Sequence, residues 1–355
     1  VSEDRLTGLD SSFLHMERAG AHMHVASTII MEGPAPHHDE FRNHIASRLH
    51  LVPRFRQKLR FIPLSQGRPV WVDDPHLNLE YHIRQTALPP PGTEEQLRTL
   101  AARVFSQQLD RSKPLWEMWL VEGLEGNRFA IVTKSHHALV DGVSGVDITN
   151  VLFDTAREPE TPPAAGPEWL PRPEPSAAKL LADALLERAT SPAEIVRGVR
   201  AALRGPRQVA SQILGGVGAA GKMLGAGMSA PPSPINVEIG PHRRFAFVRA
   251  DIIEFKRIKN EHGGTVNDVV LSTVTGALGN YLRARGHDTS ELEMKALVPV
   301  SVRAADEHGA LGNRVAAMMA PLPVWCEDPV ERLHLTTASM GDLKSSGQAV
   351  GAQLL

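Results

Sequence analysis

A single cysteine, Cys326, stands in 355 residues, so no disulfide can form within the chain. That usage fits a reducing compartment, and a cytoplasmic location is expected. No apolar run reaches the roughly 18 residues of a spanning helix, so any membrane contact is expected to be peripheral. The opening residues, Val1-Ser-Glu-Asp-Arg5, lack the basic end and apolar core of a secretory signal. Charge of one sign is lacking too: 38 Lys and Arg face 40 Asp and Glu, a formal net charge of −2. No global field therefore argues for nucleic acid as a partner. A Gly-x-Ser-x-Gly nucleophile elbow is missing, so nothing points to a serine nucleophile of that kind. No short-period repeat is visible.

What is present is an ordinary globular mixture, 42% hydrophobic and 22% charged. The length suits one large domain or two of common size. His24-Val-Ala-Ser-Thr-Ile-Ile-Met31 is rich in β-branched residues and predicts a strand. Residues 39–48 predict a helix capped by Asp39, with Phe41, Ile45 and Leu49 on one face. Trp116–Val121 and Phe129–Thr133 predict two strands around a Gly-bearing turn, Gly123 to Asn127, and a helix is expected from Ser144 to Phe153. Prolines crowd residues 156–175 and predict an extended linker. Ala177 to Gly227 is rich in Ala, Leu, Arg and Gly, and a second proline cluster follows at Pro231, Pro232 and Pro234.

The expected organisation is an N-terminal half at 1–155, a linker and helical crossover at 156–235, and a C-terminal half at 236–355. In that second half, Arg244–Arg249 alternates like a strand. Residues 251–261 fit a helix stopped by Gly263-Gly264. A further helix opens at Thr265-Val-Asn-Asp, with Val269, Val270, Val274, Leu278 and Leu282 at helical spacing. Ala296–Ser301 and Val315–Met319 predict strands. Gly351-Ala-Gln-Leu-Leu355 lies in a weak helical pattern without a stop signal, which raises the expectation of a longer protein with an incomplete second half.

The most informative segment is His136-His137-Ala-Leu-Val-Asp141-Gly142, between a buried strand and a helix. Connections of that kind favour catalytic residues. Adjacent histidines in extended backbone point to opposite sides, so one can face a cleft while the other is structural. An imidazole with its ordinary pKa of about 6.5 accepts a proton from an alcohol near neutrality. Asp141 either orients the histidine or pins the loop through an arginine. Gly142 permits close backbone approach or positive φ, and Ser144 and Gly145 shape the same turn. Two histidines and an aspartate also suggest a metal triad, but adjacent side chains diverge too far to chelate one ion; no metal is expected.

These residues resemble the His-His-x-x-x-Asp-Gly motif of the acyl-CoA-dependent acyltransferase superfamily. That superfamily includes chloramphenicol acetyltransferase, carnitine acyltransferases and peptide-synthetase condensation domains. Further stretches resemble the bacterial wax ester synthase/diacylglycerol acyltransferase family in particular. They are Leu9-Asp-Ser-Ser-Phe-Leu14, Val52-Pro-Arg-Phe-Arg-Gln57, Lys113-Pro-Leu-Trp116, Asp141-Gly-Val-Ser-Gly145, Asn267-Asp-Val-Val-Leu271, Pro299-Val-Ser-Val-Arg303, Leu311-Gly-Asn-Arg314 and Pro321-Leu-Pro323. They run over almost the whole chain in the family's order.

The resemblance implies an α/β fold of two chloramphenicol-acetyltransferase-like halves, joined by a crossover, with a channel between them. It implies transfer of a long-chain acyl group from acyl-CoA to a diacylglycerol or fatty alcohol. A rival acceptor is another hydroxyl, on a polyketide or glycolipid; a rival of a different class is a silent lipid-binding relative. His137 is then the general base and His136 structural. Acyl-CoA is a co-substrate, no bound cofactor is needed, and a membrane or lipid-droplet surface is the expected workplace. The resemblance also implies that Asp141 points away from the reacting atoms toward an arginine, with Arg303 the candidate. A backbone carbonyl would then set the His137 tautomer. Family members carry a Ser-Asn-x-x-Gly-Pro-like segment absent from these residues. The sequence sets no oligomeric state.

Asn267-Asp268 opens a helix, and the plain reading is a cap. The resemblance adds a channel-facing role for Asn267 as a donor near the reacting carbonyl, while Asp268 caps. Arg54 and Arg56 flank Phe55 and, if extended, face one side; they bind CoA phosphates or form a solvated basic edge. Lys179 to Lys222 carries seven basic residues against three acidic ones, with Val196, Val199 and Leu203 at helical spacing. It is either a packed crossover or a basic surface for anionic lipid. On the second reading, binding to anionic vesicles weakens with salt, since the Debye length is about 3 Å at 1 M. Neutral substitutions at Arg197, Arg200, Arg204 and Arg207 weaken it likewise. Salt-insensitive binding, measured by vesicle sedimentation, returns the segment to the packed reading.

Overall fold

Two neighbouring strands with apolar side chains on both faces organise the first half of the molecule, seen in a computed structural model. The structure describes residues 5–18, 20–65, 67–139, 151–154, 169–190, 233–292, 294–301 and 315–345. The chain forms two compact units. The first is 1–195 with 239–246 and 311–313; the second is 196–238, 247–310 and 314–355.

The first unit starts with helix α1 (Gly8–Met16), whose N-cap Thr7 accepts from the Asp10 N–H. Strand β1 spans His24–Glu32, as the β-branched run predicts. Helix α2 (His38–Arg48) begins before the expected cap. His37, not Asp39, holds the cap position, and Glu40 accepts from the His37 N–H at 3.2 Å. Asp39 lies in the first turn, where negative charge suits the helix dipole. The predicted face of Phe41, Ile45 and Leu49 is buried.

Strands β2 (Gln57–Arg60) and β3 (Val70–Asp73) form a small antiparallel pair. The one-turn helix α3 (Leu79–His82) leads into β4 (Ile83–Ala87). Helix α4 (Glu94–Ser106) opens with a capping box between Thr93 and Gln96. Strands β5 (Trp116–Leu124) and β6 (Arg128–His136) follow. The turn between them uses left-handed backbone at Gly126 and Asn127, φ 76° and 53°.

The four-stranded sheet has the order β1-β6-β5-β4. β6 is antiparallel to both neighbours, while β4 runs parallel to β5. Alternation sends Met118, Leu120, Phe129 and Ile131 into the core shared with Phe41 and Ile45 of α2. It sends Val121, Ala130 and Val132 to the other face, against Leu97, Ala101 and Val104 of α4. Burial on both faces is why these strands read as near-continuous apolar runs.

Of the proline-rich linker, the described part from Trp169 to Ser176 has no helix or strand, and Arg172 binds Asp73 through its backbone N–H at 2.9 Å and its guanidinium at 3.2 Å. Helix α5 (Ala177–Thr190) then packs Leu180 and Ala184 on Ile62, Val70 and Val72. Ser144 to Asn150, residues 191–232 and residues 346–355 lie outside the described residues, and with them most of the expected crossover. Arg244–Arg249 is not a strand. Its alternation is real, but Phe245 packs edge-on against Phe105 at 5.2 Å instead of a ladder forming. A two-faced extended segment becomes a strand only with an edge to pair with.

In the second unit, Asp251 caps helix α6 (Ile252–His262), and Gly263 ends it at φ 87°. Helix α7 spans Val266–Ala284. Its predicted stripe is partly corrected: Val269 and Leu282 are buried, but Val270 and Val274 are exposed. Ser272, Thr275, Gly276 and Gly279 take the buried positions. A side chain at Gly276 would meet the Arg332 guanidinium, and one at Gly279 the Val324 carbonyl, so close packing selects small residues there. Strands β7 (Met294–Ser301) and β8 (Val315–Leu322) pair antiparallel, and helix α8 (Pro329–Ser345) follows.

One buried cation ties α4 to the central strand. Lys134 Nζ donates to the carbonyls of Val104 at 3.0 Å and Gln107 at 2.9 Å, and lies 3.6 Å from Glu117. It closes the C-terminal end of α4, where cations are favoured. Burial pushes its pKa down, against the pull of Glu117. Lys134→Ala leaves two carbonyls without their donor, while Glu117 keeps Arg84 and Trp119, so a loss of about 1–3 kcal/mol per carbonyl is expected. Urea unfolding measures it; a wild-type midpoint would contradict the role.

Candidate functional site

The site begins where three strands meet at one end of the sheet. His136 closes β6 and pairs in register with His24, the first residue of β1; Ser135 pairs with Trp116, the first of β5. The chain then leaves the sheet in a single 3₁₀ turn, His137–Leu139, anchored by buried Ala138 and Leu139. The His137 N–H donates to the Met23 carbonyl at 2.7 Å. Its ring stacks on Phe13 of α1, with centroids 4.0 Å apart and planes at 27°. An apolar ring against one imidazole face fixes its plane.

The two histidines part company as adjacent residues at a strand end should. His136 is 1% exposed and His137 only half-buried. His136 turns back: its Nδ1 accepts from the Ala138 N–H at 3.0 Å. His137 Nδ1 is buried with no hydrogen-bond partner among the described residues. The carbonyl expected to set its tautomer is therefore not found among the described residues.

Beneath His136 lies a residue that the sequence reading missed. Glu17 follows α1, and its side chain is 1% exposed. His136 Nε2 is 3.7 Å from it, His24 Nε2 3.5 Å and His22 Nδ1 3.7 Å. Arg111 binds it through Nε at 3.0 Å and through Nη2, and also donates to the Leu14 carbonyl at 3.0 Å. Burial pushes the Glu17 pKa up, but hydrogen bonds from Arg111 and Gln108 outweigh it, and the carboxyl stays below its ordinary value. One of 40 acidic residues carries no local mark. The usable signal was His22-Met-His24, whose spacing puts two imidazoles on one side of an extended chain.

Asp141, Gly142, Ser144, Gly145 and Arg303 lie outside the described residues, and so does the expected Asp141–Arg303 pair. Arg54 and Arg56 are not extended. Pro53 starts a 3₁₀ turn, Pro53–Arg56, and buried Phe55 stacks on Trp116. Arg54 then lies over Trp71 at 5.4 Å and donates to Gln57 at 2.8 Å, while Arg56 lies over Trp169 at 5.2 Å. Both guanidiniums serve as packing groups, on two different indoles.

In the second unit, Asp268 is buried and accepts from the N–H and hydroxyl of Thr265, both at 2.8 Å. Its cap is reciprocal: Thr265 is the N-cap residue, and Asp268 is the third residue of the capping box. Asn267 is exposed beside it.

The architecture has a counterpart in the first condensation domain of the CDA synthetase. The match has a TM-score of 0.52 at 16% identity and covers 97% of this chain and 75% of that one. The fold is thus of the condensation-domain class. A family model of the wax ester synthase/diacylglycerol acyltransferase catalytic domain matches residues 6–270, and that of the family's C-terminal domain matches 311–355. The wax ester synthase/diacylglycerol acyltransferase of Marinobacter aquaeolei VT8 aligns with a TM-score of 0.65 at 27% identity, covering 96% of this chain and 72% of that one. The probable diacylglycerol O-acyltransferase tgs1 of Mycobacterium tuberculosis H37Rv is 33% identical over 357 residues, 97% of this chain and 72% of that protein. The probable diacylglycerol O-acyltransferase tgs3 of the same strain is 36% identical over 264 residues, 72% of this chain and 95% of that protein. The chain belongs to the wax ester synthase/diacylglycerol acyltransferase family, a family of O-acyltransferases.

The histidine cluster makes stability depend on pH. Chiefly through burial, His24 is pushed down to about 3 and His136 to about 4. Unfolded, each takes a proton near the ordinary 6.5. Below that pH the unfolded chain binds more protons, so the stabilisation from the neutral rings is full above pH 6.5 and is lost as pH falls toward 4. Glu17, with its pKa lowered, adds a loss only below its ordinary 4.5. The urea midpoint should therefore drop between pH 6.5 and 4. His24→Gln should flatten that slope; an unchanged slope would reject the assignment.

Proposed function

We propose that the chain moves a long-chain acyl group from acyl-CoA to the hydroxyl of a diacylglycerol or fatty alcohol, with His137 as general base. The observation that supports this reading most is the placement of His137. It leads the turn off the central strand, is held by its own N–H at the Met23 carbonyl, and lies flat on Phe13. Such a ring is pre-set in plane, which general-base catalysis rewards.

The step balances as written. The alcohol gives its proton to the imidazole as its oxygen attacks the thioester carbonyl. The tetrahedral intermediate collapses, the C–S bond breaks, and the imidazolium returns the proton to the departing thiolate. The products are the ester and free CoA thiol. Only the two substrates and the histidine take part, with no acyl-enzyme.

The acceptors are water-insoluble, so we place the work at a membrane or lipid-droplet surface, approached peripherally. Among the described residues no helix is long and apolar enough to cross a membrane.

Release of CoA thiol from palmitoyl-CoA, measured with diolein and with hexadecanol, tests the reading. His137→Ala should lower kcat by about 10²–10⁴-fold with the fold intact. His136→Ala should act through stability and the turn. Full activity in His137→Ala would sink the base assignment. No turnover by the wild type with either acceptor would favour another hydroxyl or a silent lipid-binding role.

A further inference from the structure

The carboxylate under His136 has no part in the proton transfer just described, yet burying it costs free energy that a surface glutamate would not. A metal does not explain it. The Arg111 guanidinium already sits on the carboxylate, and among the described residues no group of His, Cys, Asp and Glu is arranged to hold an ion. A second cation there would face the first.

The tautomer of His136 gives the reason. A backbone N–H can only donate, so the 3.0 Å contact from Ala138 makes His136 Nδ1 a bare acceptor. The proton of the neutral ring then belongs on Nε2. That atom is buried without a hydrogen bond and has Glu17 Oε2 at 3.7 Å. The distance is too long for a hydrogen bond but short for an attraction in a dry site. A ring flipped to carry its proton on Nδ1 would meet the Ala138 N–H donor to donor.

We propose that Glu17 is a positioning residue for this reaction: its buried carboxylate holds His136 in the Nε2–H form, and His136, through the Ala138 N–H, sets the turn that carries His137. The proposal rests on His137 being the base. Helix α1 reinforces it, because the Glu17 N–H donates to the Phe13 carbonyl at 3.2 Å and Phe13 stacks on His137. One helix end thus holds both histidines, one by charge and one by ring contact. The groups facing the carboxylate are His22 and His24 from the start of β1, Gln108 and Arg111 from the connection before β5, and His136 from β6. Arg111 supplies the one fixed positive charge among them. With His24 and His136 neutral at physiological pH, the Glu17–Arg111 ion pair has these two uncharged imidazoles beside it.

The test compares Glu17→Ala, Glu17→Gln and His137→Ala in full-length protein, with palmitoyl-CoA and hexadecanol as probes. Glu17→Ala should lower kcat on the order of 10²-fold, the scale of an ångström-sized misplacement, with little change in the KM for acyl-CoA. Glu17→Gln keeps an acceptor oxygen without the charge and should recover part of that loss. Nitrogen NMR of histidine-labelled protein should show His136 with a bare Nδ1 and protonated Nε2 in the wild type, and a mixture in Glu17→Ala. Glu94→Gln, which breaks the Arg128 pair at the far end of β6, is the control and should leave kcat unchanged. Wild-type kcat in both Glu17 variants while His137→Ala is inactive would overturn the proposal alone, as would an Nδ1–H tautomer in the wild type. Full activity in His137→Ala would overturn the base assignment and this proposal with it. Should Glu17→Ala fail to fold, Glu17→Gln and the wild-type tautomer decide the question.

Discussion

A carboxylate shut away from water must be neutralised where it lies, and the Glu17–Arg111 pair does this at the joint of the site. Arg111 also holds the Leu14 carbonyl, so the pair closes the end of α1 as well as compensating a charge. The end of α1 in turn bears on both histidines. If the pair is lost, Glu17 remains as a buried charge, Phe13 loses its support, and the turn after β6 loses its reference. The depressed pKa values of His24 and His136 follow from the same enclosure: each ring sits in a place where a second proton is too costly.

The sheet makes this enclosure possible. β6 is central and buried on both faces, so its last residue is delivered to one place with little freedom. Lys134, two residues before His136, fastens α4 to the same strand end through two carbonyls. A residue at the exit of a rigid strand, rather than on a long loop, is held closer to one geometry.

Patterns within a few residues were legible before any coordinates. The two-sided apolar runs predicted β5 and β6, and the spacing of Phe41, Ile45 and Leu49 predicted the buried face of α2. Asp251 and Gly263-Gly264 marked both ends of α6, since caps are set by adjacent backbone groups. The ordered set of short stretches marked the family. Where the reading failed, a longer-range fact had overruled the pattern. Arg244–Arg249 alternates but has no ladder partner. Val270 and Val274 yielded the buried side of α7 to glycines that let Arg332 and the Val324 carbonyl approach. Arg54 and Arg56 share one side only in an extended chain, and Pro53 with the stacked Phe55 puts them in a 3₁₀ turn on separate indoles.

The sequence by itself determined the family, both ends of α6 and which strands are buried on both faces. These are properties of neighbours, and sterics, caps and side-chain alternation express them locally. The tertiary structure alone decided that Glu17, His22, His24, Arg111 and His136 share one dry pocket. Those residues span 120 positions of the chain and meet only because β1 and β6 pair in a register that places His24 opposite His136. Charge and burial act through space rather than along the chain, and a register shift of one residue would have turned His24 away from His136.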